Sequence, residues 1–225
     1  MTVLLIIATI LFFLTLDWAV RRGKEPKRVP AMSGRETALP VRIPGGIFFA
    51  RNHTWLNLFP SGKVRLGIDD FIGRLLDRPS VVFLKQEGES IARGEPIIQL
   101  KQNGHHFTVR SPLSGTVLAQ NEELRTHPEK MKEMLFSDGW AYTVQPTNTT
   151  ELRRCLFGAE SGEWIRKEFG RLRDVLAGVA DGGHASPVLL QDGGVPVAGF
   201  MKEAPQQLWD AIEQTFLIEE MKGER

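Results

Sequence analysis

Short apolar runs recur about every ten residues from Ile47 to Gln145, and glycine, proline or asparagine separates them. Spacing of this kind leaves no room for long helices and predicts an all-β sandwich or barrel. The predicted strands are residues 47–49, 55–59, 63–66, 81–84, 96–100, 106–109, 115–118 and 141–144. Two helices interrupt them, at residues 69–76 and 128–135, because an acidic pair or a proline suits a first helical turn.

The amino-terminal residues form a different kind of segment, an apolar run over residues 2–20 in which Asp17 is the only charge. A helix of about 19 residues nearly matches the roughly 30 Å hydrocarbon core of a bilayer. A signal peptide would carry positive charge before the run, whereas here it follows, as Arg21, Arg22, Lys24, Lys27 and Arg28. By the positive-inside rule we expect a transmembrane helix at residues 1–20, crossing the cell inner membrane once, with a cytoplasmic soluble region.

The segment after this run, the net charge and the single cysteine further limit the classes of function that the chain can have. Residues 21–45 are basic and proline-containing without apolar periodicity, which predicts a tether that acts as a stop-transfer signal or rests on lipid headgroups. The net charge of +1 lacks the basic excess of a nucleic-acid-binding surface. The single cysteine, Cys155, has no base beside it in the sequence, so we expect a buried, unreactive thiol.

The most informative stretch is a pair of glycine turns followed by a hairpin. Gly88 and Gly94 bracket a short strand, a hairpin runs out and back, and Ser111-Pro112-Leu113-Ser114-Gly115 turns into the next strand. This order resembles the lipoyl and biotinyl carrier fold, the barrel-sandwich hybrid.

The flanking motifs resemble the glycine cleavage system H-protein family in particular. They are His53-Thr54-Trp55, Gly67-Ile68-Asp69-Asp70-Phe71, Asn121-Glu122-Glu123-Leu124, His127-Pro128-Glu129 and Asp138-Gly139-Trp140. The resemblance implies a lipoyl-like domain at residues 46–146. Its structural motif residues would be His53, Trp55, Gly67, Asp70, Gly94, Pro112, Gly115, Gly139 and Trp140.

The resemblance also implies a site at the hairpin tip, where that family carries lipoate on a lysine through an amide bond. Counted without gaps from Gly94 forwards and from Pro112 backwards, the lysine position falls on Gly104. The preceding residue is Asn103, and Asn-Gly favours a tight type I′ turn over a modification site. We therefore expect no cofactor, and lipoate on Lys101 is the alternative.

Two histidines, His105 and His106, follow the predicted turn and raise the question of a metal site. Adjacent residues of a strand point to opposite faces, so their imidazoles cannot readily share one ion, and no further ligand is evident. We expect no metal and treat both as exposed hairpin histidines. By the family pattern, His53 would be structural and packed near Trp55.

Residues 147–225 extend past a typical H protein. They are predicted to form an amphipathic helix at 163–176, a β-hairpin at 187–199 and a second helix at 205–220. The simpler interpretation is that these helices cover the sandwich or each other, and the alternative is that they form a docking surface. The glycine pairs in this region lack Walker or Rossmann spacing, so nucleotide binding is not expected.

A fold that is mainly β with helices, a membrane anchor and a missing lipoyl lysine together favour a non-catalytic docking module over an enzyme. Its partner would be a glycine cleavage enzyme or a membrane redox complex. The alternative is a genuine lipoyl carrier of glycine decarboxylation that uses Lys101. An efflux membrane-fusion adaptor is a third hypothesis, disfavoured because the chain lacks the long helical hairpin that splits the lipoyl fold in those proteins.

Overall fold

The computed structural model describes residues 44–179 and 198–218, all of which belong to one compact unit. The predicted transmembrane helix, nearly all of the tether and most of the predicted hairpin at 187–199 lie outside these residues and stay predictions. Within the two described ranges, no helix combines the length and apolar character that a bilayer crossing requires.

The described residues are mainly β with helices, as predicted. The strands are β1 (Ile47–Ala50), β2 (Thr54–Leu58), β3 (Val64–Ile68), β4 (Ser80–Phe83), β5 (Ser90–Ile91), β6 (Pro96–Gln102), β7 (His105–Arg110), β8 (Gly115–Gln120), β9 (Trp140–Pro146) and β10 (Leu156–Phe157). They form two antiparallel sheets, one in the order β10-β1-β2-β3-β9-β8-β5 and one in the order β4-β6-β7. The eight strands predicted between residues 47 and 144 are present, and β5 is the short strand predicted between Gly88 and Gly94. The two-residue β10 was not predicted, because so short a segment carries no readable alternation.

Alternating side chains place the core between the sheets. On β7, Phe107 and Val109 are buried while His106 is exposed, the period-two pattern of a half-buried strand. Tyr142 of β9 ties the two sheets together, because its buried hydroxyl donates to the carbonyl oxygen of Ile97 at 2.9 Å. Burial raises the pKa of Tyr142 to about 12, against backbone hydrogen bonds from the Lys85 region that lower it.

Three motif glycines sit where a side chain would not fit. A Cβ on Gly67 would lie 2.6 Å from the ring of Trp55, its partner across β2 and β3. A Cβ on Gly115 would lie 2.4 Å from the carbonyl oxygen of Gln145, and one on Gly139 would lie 2.5 Å from that of Lys130. Close packing therefore accounts for these glycines without any functional role.

Three short helices connect the strands. Helix α1 (Asp70–Leu75) begins where predicted, with the Asp69 carboxylate accepting the Ile72 N–H at 3.2 Å as an N-cap. The helix predicted at 128–135 is present but shorter, as α3 (Lys130–Glu133), and α2 (Glu123–Thr126) before it was not predicted. Pro128 lies between them and has no N–H to continue the α2 hydrogen-bond ladder.

The C-terminal extension packs on the same core. A 3₁₀ turn (Thr149–Arg154) leads through β10 into helix α4 (Ala159–Val179), which is longer than the predicted 163–176. A 3₁₀ turn (Phe200–Glu203) precedes α5 (Gln206–Ile212), which continues as a π-helix (Glu213–Ile218) where one regular helix was predicted. Its buried side chains join the core cluster of the sheets, in agreement with the simpler interpretation. Cys155 is only half-buried, so the expected full burial of its thiol is wrong.

Candidate functional site

The hairpin between β6 and β7 ends in a two-residue turn. Gln102 pairs with His105, which leaves Asn103 and Gly104 as the loop, with φ angles of 50° and 83°. Positive φ at both central positions defines the type I′ turn that Asn-Gly favours. Gly104 is exposed and an added Cβ would meet nothing within 4 Å, so the tip has room for a side chain but a backbone that favours glycine.

Lys101 lies on the side of the hairpin and not at its tip. It pairs with Ser80 on one side and His106 on the other, and all three are exposed on the outer face of the three-stranded sheet. These residues and the turn line a shallow hollow. An arm on Lys101 would therefore start from the outer face, two residues before the turn.

The two hairpin histidines face opposite sides, as predicted, but they are not equivalent. His106 is exposed, whereas His105 is half-buried, with its ring 5.4 Å from that of Trp209 in a stacked arrangement and its Nδ1 hydrogen-bonded to Gln206. The expectation that both are exposed is wrong for His105. In the part of the chain that the structure describes, no three His, Cys, Asp or Glu side chains are grouped as a metal site.

The inner face of the hairpin is covered by residues 200–218, which we call the C-terminal cap. The Asn103 side-chain amide donates to the carbonyl oxygen of Lys202 at 2.9 Å, beside the turn. Further along β7, the Thr108 N–H donates to the Glu213 carboxylate at 2.9 Å, and the Phe107 ring lies 4.4 Å from that of Trp209. The chain thus occupies one side of its own hairpin.

A buried charge cluster joins the domain to the C-terminal extension. The Nδ1 atom of His53 lies 2.8 Å from the Asp69 carboxylate, and its Nε2 lies 3.7 Å from the Glu168 carboxylate of α4. Arg171 donates to both oxygens of Glu168 at 3.1 Å and to the carbonyl oxygen of Thr215 at 3.2 Å. The cluster therefore connects the lipoyl-like domain, α4 and the end of the cap.

Electrostatics in this cluster follow from burial and pairing. Burial by itself would lower the pKa of His53, but the Asp69 carboxylate and then Glu168 raise it to about 9. Burial would raise the pKa of Glu168, but its contacts with His53 and Arg171 hold that pKa below its usual range. His53 is therefore an imidazolium at neutral pH, and the Glu168 carboxylate beside it is charged.

Aromatic rings enclose His53, which has a left-handed φ of 59°. Its ring stacks on Phe71 at 4.3 Å and lies 5.0 Å from Trp164 and 5.8 Å from Phe216. Two of these rings, Trp164 and Phe216, come from the C-terminal extension. The expectation that His53 packs near Trp55 did not include them. Trp55 itself packs on Gly67 and on Phe136, at 5.6 Å between ring centroids.

The other motif residues support the scaffold around the hairpin. The Gly94 N–H donates to the carbonyl oxygen of Ser111 at 2.8 Å, which closes the base of the hairpin beside Pro112. Asp70 pairs with Arg74 at 2.6 Å; burial raises the pKa of Asp70, although Arg74 opposes this. The Arg65 guanidinium lies 5.0 Å from the Trp140 ring centroid.

Sequence reasoning missed four residues that the structure brings into the site, which are Glu168, Arg171, Trp209 and Glu213. The sequence shows Glu213 four positions after Trp209 in an amphipathic segment, but this spacing does not indicate that both residues contact β7. Nothing local pairs Glu168 with His53, because the two meet only through the tertiary fold.

Known proteins resemble this chain over the lipoyl-like domain. The family model for the glycine cleavage H-protein matches residues 47–169. The glycine cleavage system H protein of Stenotrophomonas maltophilia (strain R551-3) is 33% identical over 114 residues, which cover 51% of this chain and 87% of that protein. The probable glycine cleavage system H protein of Pyrococcus abyssi is 29% identical over 119 residues, covering 53% and 88%.

A solved structure, that of a glycine cleavage system H protein from Mycobacterium marinum, is 26% identical, covers 49% of this chain and 95% of its own, and has a TM-score of 0.43. The family match runs from β1 into α4 and includes both His53 and Glu168, whereas the C-terminal cap lies beyond it. Because the match spans more than half of the 225 residues, this chain belongs to the glycine cleavage H-protein family.

Proposed function

We propose that this protein is a membrane-anchored, unlipoylated H-protein-like docking module that holds a partner at the cytoplasmic face of the inner membrane. The observation that carries the proposal is the hairpin tip: Gly104, to which the count from Gly94 and Pro112 assigns the family's lysine position, lies in a two-residue type I′ turn. Lipoate needs a primary amine on a flexible stem, and glycine supplies neither.

The covering of the hairpin supports the same function. A carrier arm has to move between active sites, whereas here the turn is bonded to Lys202 and the inner face of β7 is closed by the cap. The predicted anchor and basic tether agree with a fixed position, since a shuttling carrier gains nothing from being held in place. The partner would be a glycine cleavage enzyme, by family, or a membrane redox complex, by location.

A genuine lipoyl carrier is the second candidate, and the exposure of Lys101 favours it. Lys202 also comes close to the tip, but its ammonium group pairs with the Asp77 carboxylate at 3.3 Å. Both amines have to be examined in any test of lipoylation.

Intact-mass spectrometry after co-expression with lipoate ligase and lipoate tests the proposal. We expect no mass increment on the wild-type chain. A Gly104→Lys variant is the positive control, because an amine at the open tip should be modified if the ligase recognises this domain. A lipoyl increment on the wild-type chain that Lys101→Arg or Lys202→Arg removes would establish the carrier function instead.

Reporter fusions test the topology. A fluorescent reporter that matures only in the cytoplasm should be active at the C-terminus, and alkaline phosphatase at the same point should be inactive. Active phosphatase would place the domain outside the cytoplasm and contradict the proposed location.

A further inference from the structure

The C-terminal cap makes two kinds of contact, and the part that covers the hairpin is the less firmly held. Two of its three polar contacts with the hairpin, from Asn103 to the Lys202 carbonyl oxygen and from His105 to Gln206, lie at the protein surface. Water can replace such hydrogen bonds at little cost, so they add little to the stability of the closed arrangement.

Helix α5 is also weak by itself. It has seven residues, fewer than an isolated helix needs, and it continues into a π-helix, a rare geometry that occurs frequently at functional sites. The indole Nε1 of Trp209 is buried without a hydrogen-bond partner among the described residues, a further cost of closure.

Apolar burial opposes these effects. Leu208, Trp209 and Ile212 are buried and hold α5 against the core. Ordering a segment of this length costs conformational entropy comparable to what a few buried side chains contribute. The balance favours a local opening of α5 at a free energy below that of global unfolding.

Opening would uncover a surface suited to a helix. The floor is the ring of Phe107, now covered by Trp209, and beside it the edge strand β7 would present the Thr108 N–H that now bonds to Glu213. Trp209 and Glu213 are four positions apart and so lie on one side of a helix, where they satisfy both features together.

We propose that α5 is a displaceable cap and that the hairpin face beneath it is the docking surface of this protein. Its occupant is a partner's amphipathic helix that presents an aromatic side chain and, four positions later, a carboxylate. The proposal rests on the docking function and names its site. The later part of the π-helix stays attached through Arg171 and Thr215, while α5 and Glu213, the first π-helical residue, move away.

Native-state hydrogen exchange on the full chain in mild detergent tests the opening. We expect the amides of α5 and of Thr108 to exchange through a local event, well before those of β6 and β8. His105→Ala removes the stacking contact and the bond to Gln206, so it should speed α5 exchange roughly threefold to tenfold. His106→Ala, on the adjacent residue and the outer face, is the matched control and should leave the exchange unchanged.

The proposal is overturned if α5 exchanges only together with the core strands, or if both histidine variants behave alike. The docking surface is tested in trans with a fluorescent peptide of residues 199–214. The peptide should bind a Trp209→Ala chain, whose own cap has lost its contact with Phe107 while the surface is intact, at least about threefold more tightly than it binds the wild-type chain. A peptide that itself carries Trp209→Ala should not bind. Absence of wild-type peptide binding to the Trp209→Ala chain would remove the docking surface, whereas lipoylation of the wild-type chain would refute the proposed function without affecting exchange.

Discussion

The two ends of the C-terminal cap are attached to the domain by opposite means. At the hairpin end, polar contacts at the surface surround Trp209, which stacks on His105 and packs against Phe107. At the other end, Arg171 reaches Thr215 from a cluster in which His53, Asp69 and Glu168 are almost completely buried. The polar contacts of the first attachment can be replaced by water, whereas the second cannot open without leaving an unpaired charge in the core.

This difference assigns separate tasks to the two attachments. Buried charges are tolerated only when each has a partner, so the cluster specifies how α4 sits on the domain. The polar hairpin contacts cost little to break. When the cap leaves, the Phe107 ring and the Thr108 N–H of the edge strand β7 are uncovered. One end of the cap therefore fixes the extension to the domain, and the other is available for regulation.

Removing one partner of the buried cluster should have the largest effect. Glu168→Gln leaves the His53 imidazolium with Asp69 alone and deprives Arg171 of its carboxylate, so we expect the free energy of unfolding to fall by about 3 kcal/mol. The loss lies at the low end for buried ion pairs because Arg171 is 34% exposed and recovers some hydration. Equilibrium denaturation of the full chain measures it.

Glu163→Gln is the matched control, since Glu163 is exposed on the same helix and should change stability by less than about 0.5 kcal/mol. Equal effects of the two variants would contradict the assignment of the cluster as the fixed attachment.

The hairpin and the buried cluster differ in how far the sequence predicts them. Strands and the Asn103-Gly104 turn were predictable, because side-chain alternation and the conformational preferences of Asn and Gly act locally. The count from Gly94 and Pro112 that assigns the family's lysine position to Gly104 needs only the sequence, and it stays a prediction. The pairing of His53 with Glu168 was not predictable, since it depends on how α4 crosses the domain.

The cap could be predicted only in part, because amphipathicity indicates that residues 205–220 bury one face without indicating against what. The position of the cap against β7 depends on which strand lies at the edge of the three-stranded sheet. The helix changes to π geometry after Ile212, and the regular apolar spacing of the sequence does not indicate this change.

The pH dependence of stability gives an effect of at most the same size that is specific to the buried end. The pKa of His53 is raised from 6.5 to about 9 in the folded chain, so the folded state binds the proton more tightly than the unfolded state does. The resulting stabilisation is fully present below about pH 6.5 and is lost as the pH rises through about 9. We expect the free energy of unfolding to fall by up to roughly 3 kcal/mol across this window, measured by denaturation at a series of pH values. His53→Asn should flatten the profile, because asparagine tolerates the left-handed backbone at this position but does not titrate.

Exchange of the α5 amides, corrected for the intrinsic pH dependence of amide exchange, should change little over the same range, since the contacts of the hairpin end do not involve His53. A wild-type slope that persists in His53→Asn, or an opening of α5 that follows the same titration, would mean that the two ends of the cap are not independent.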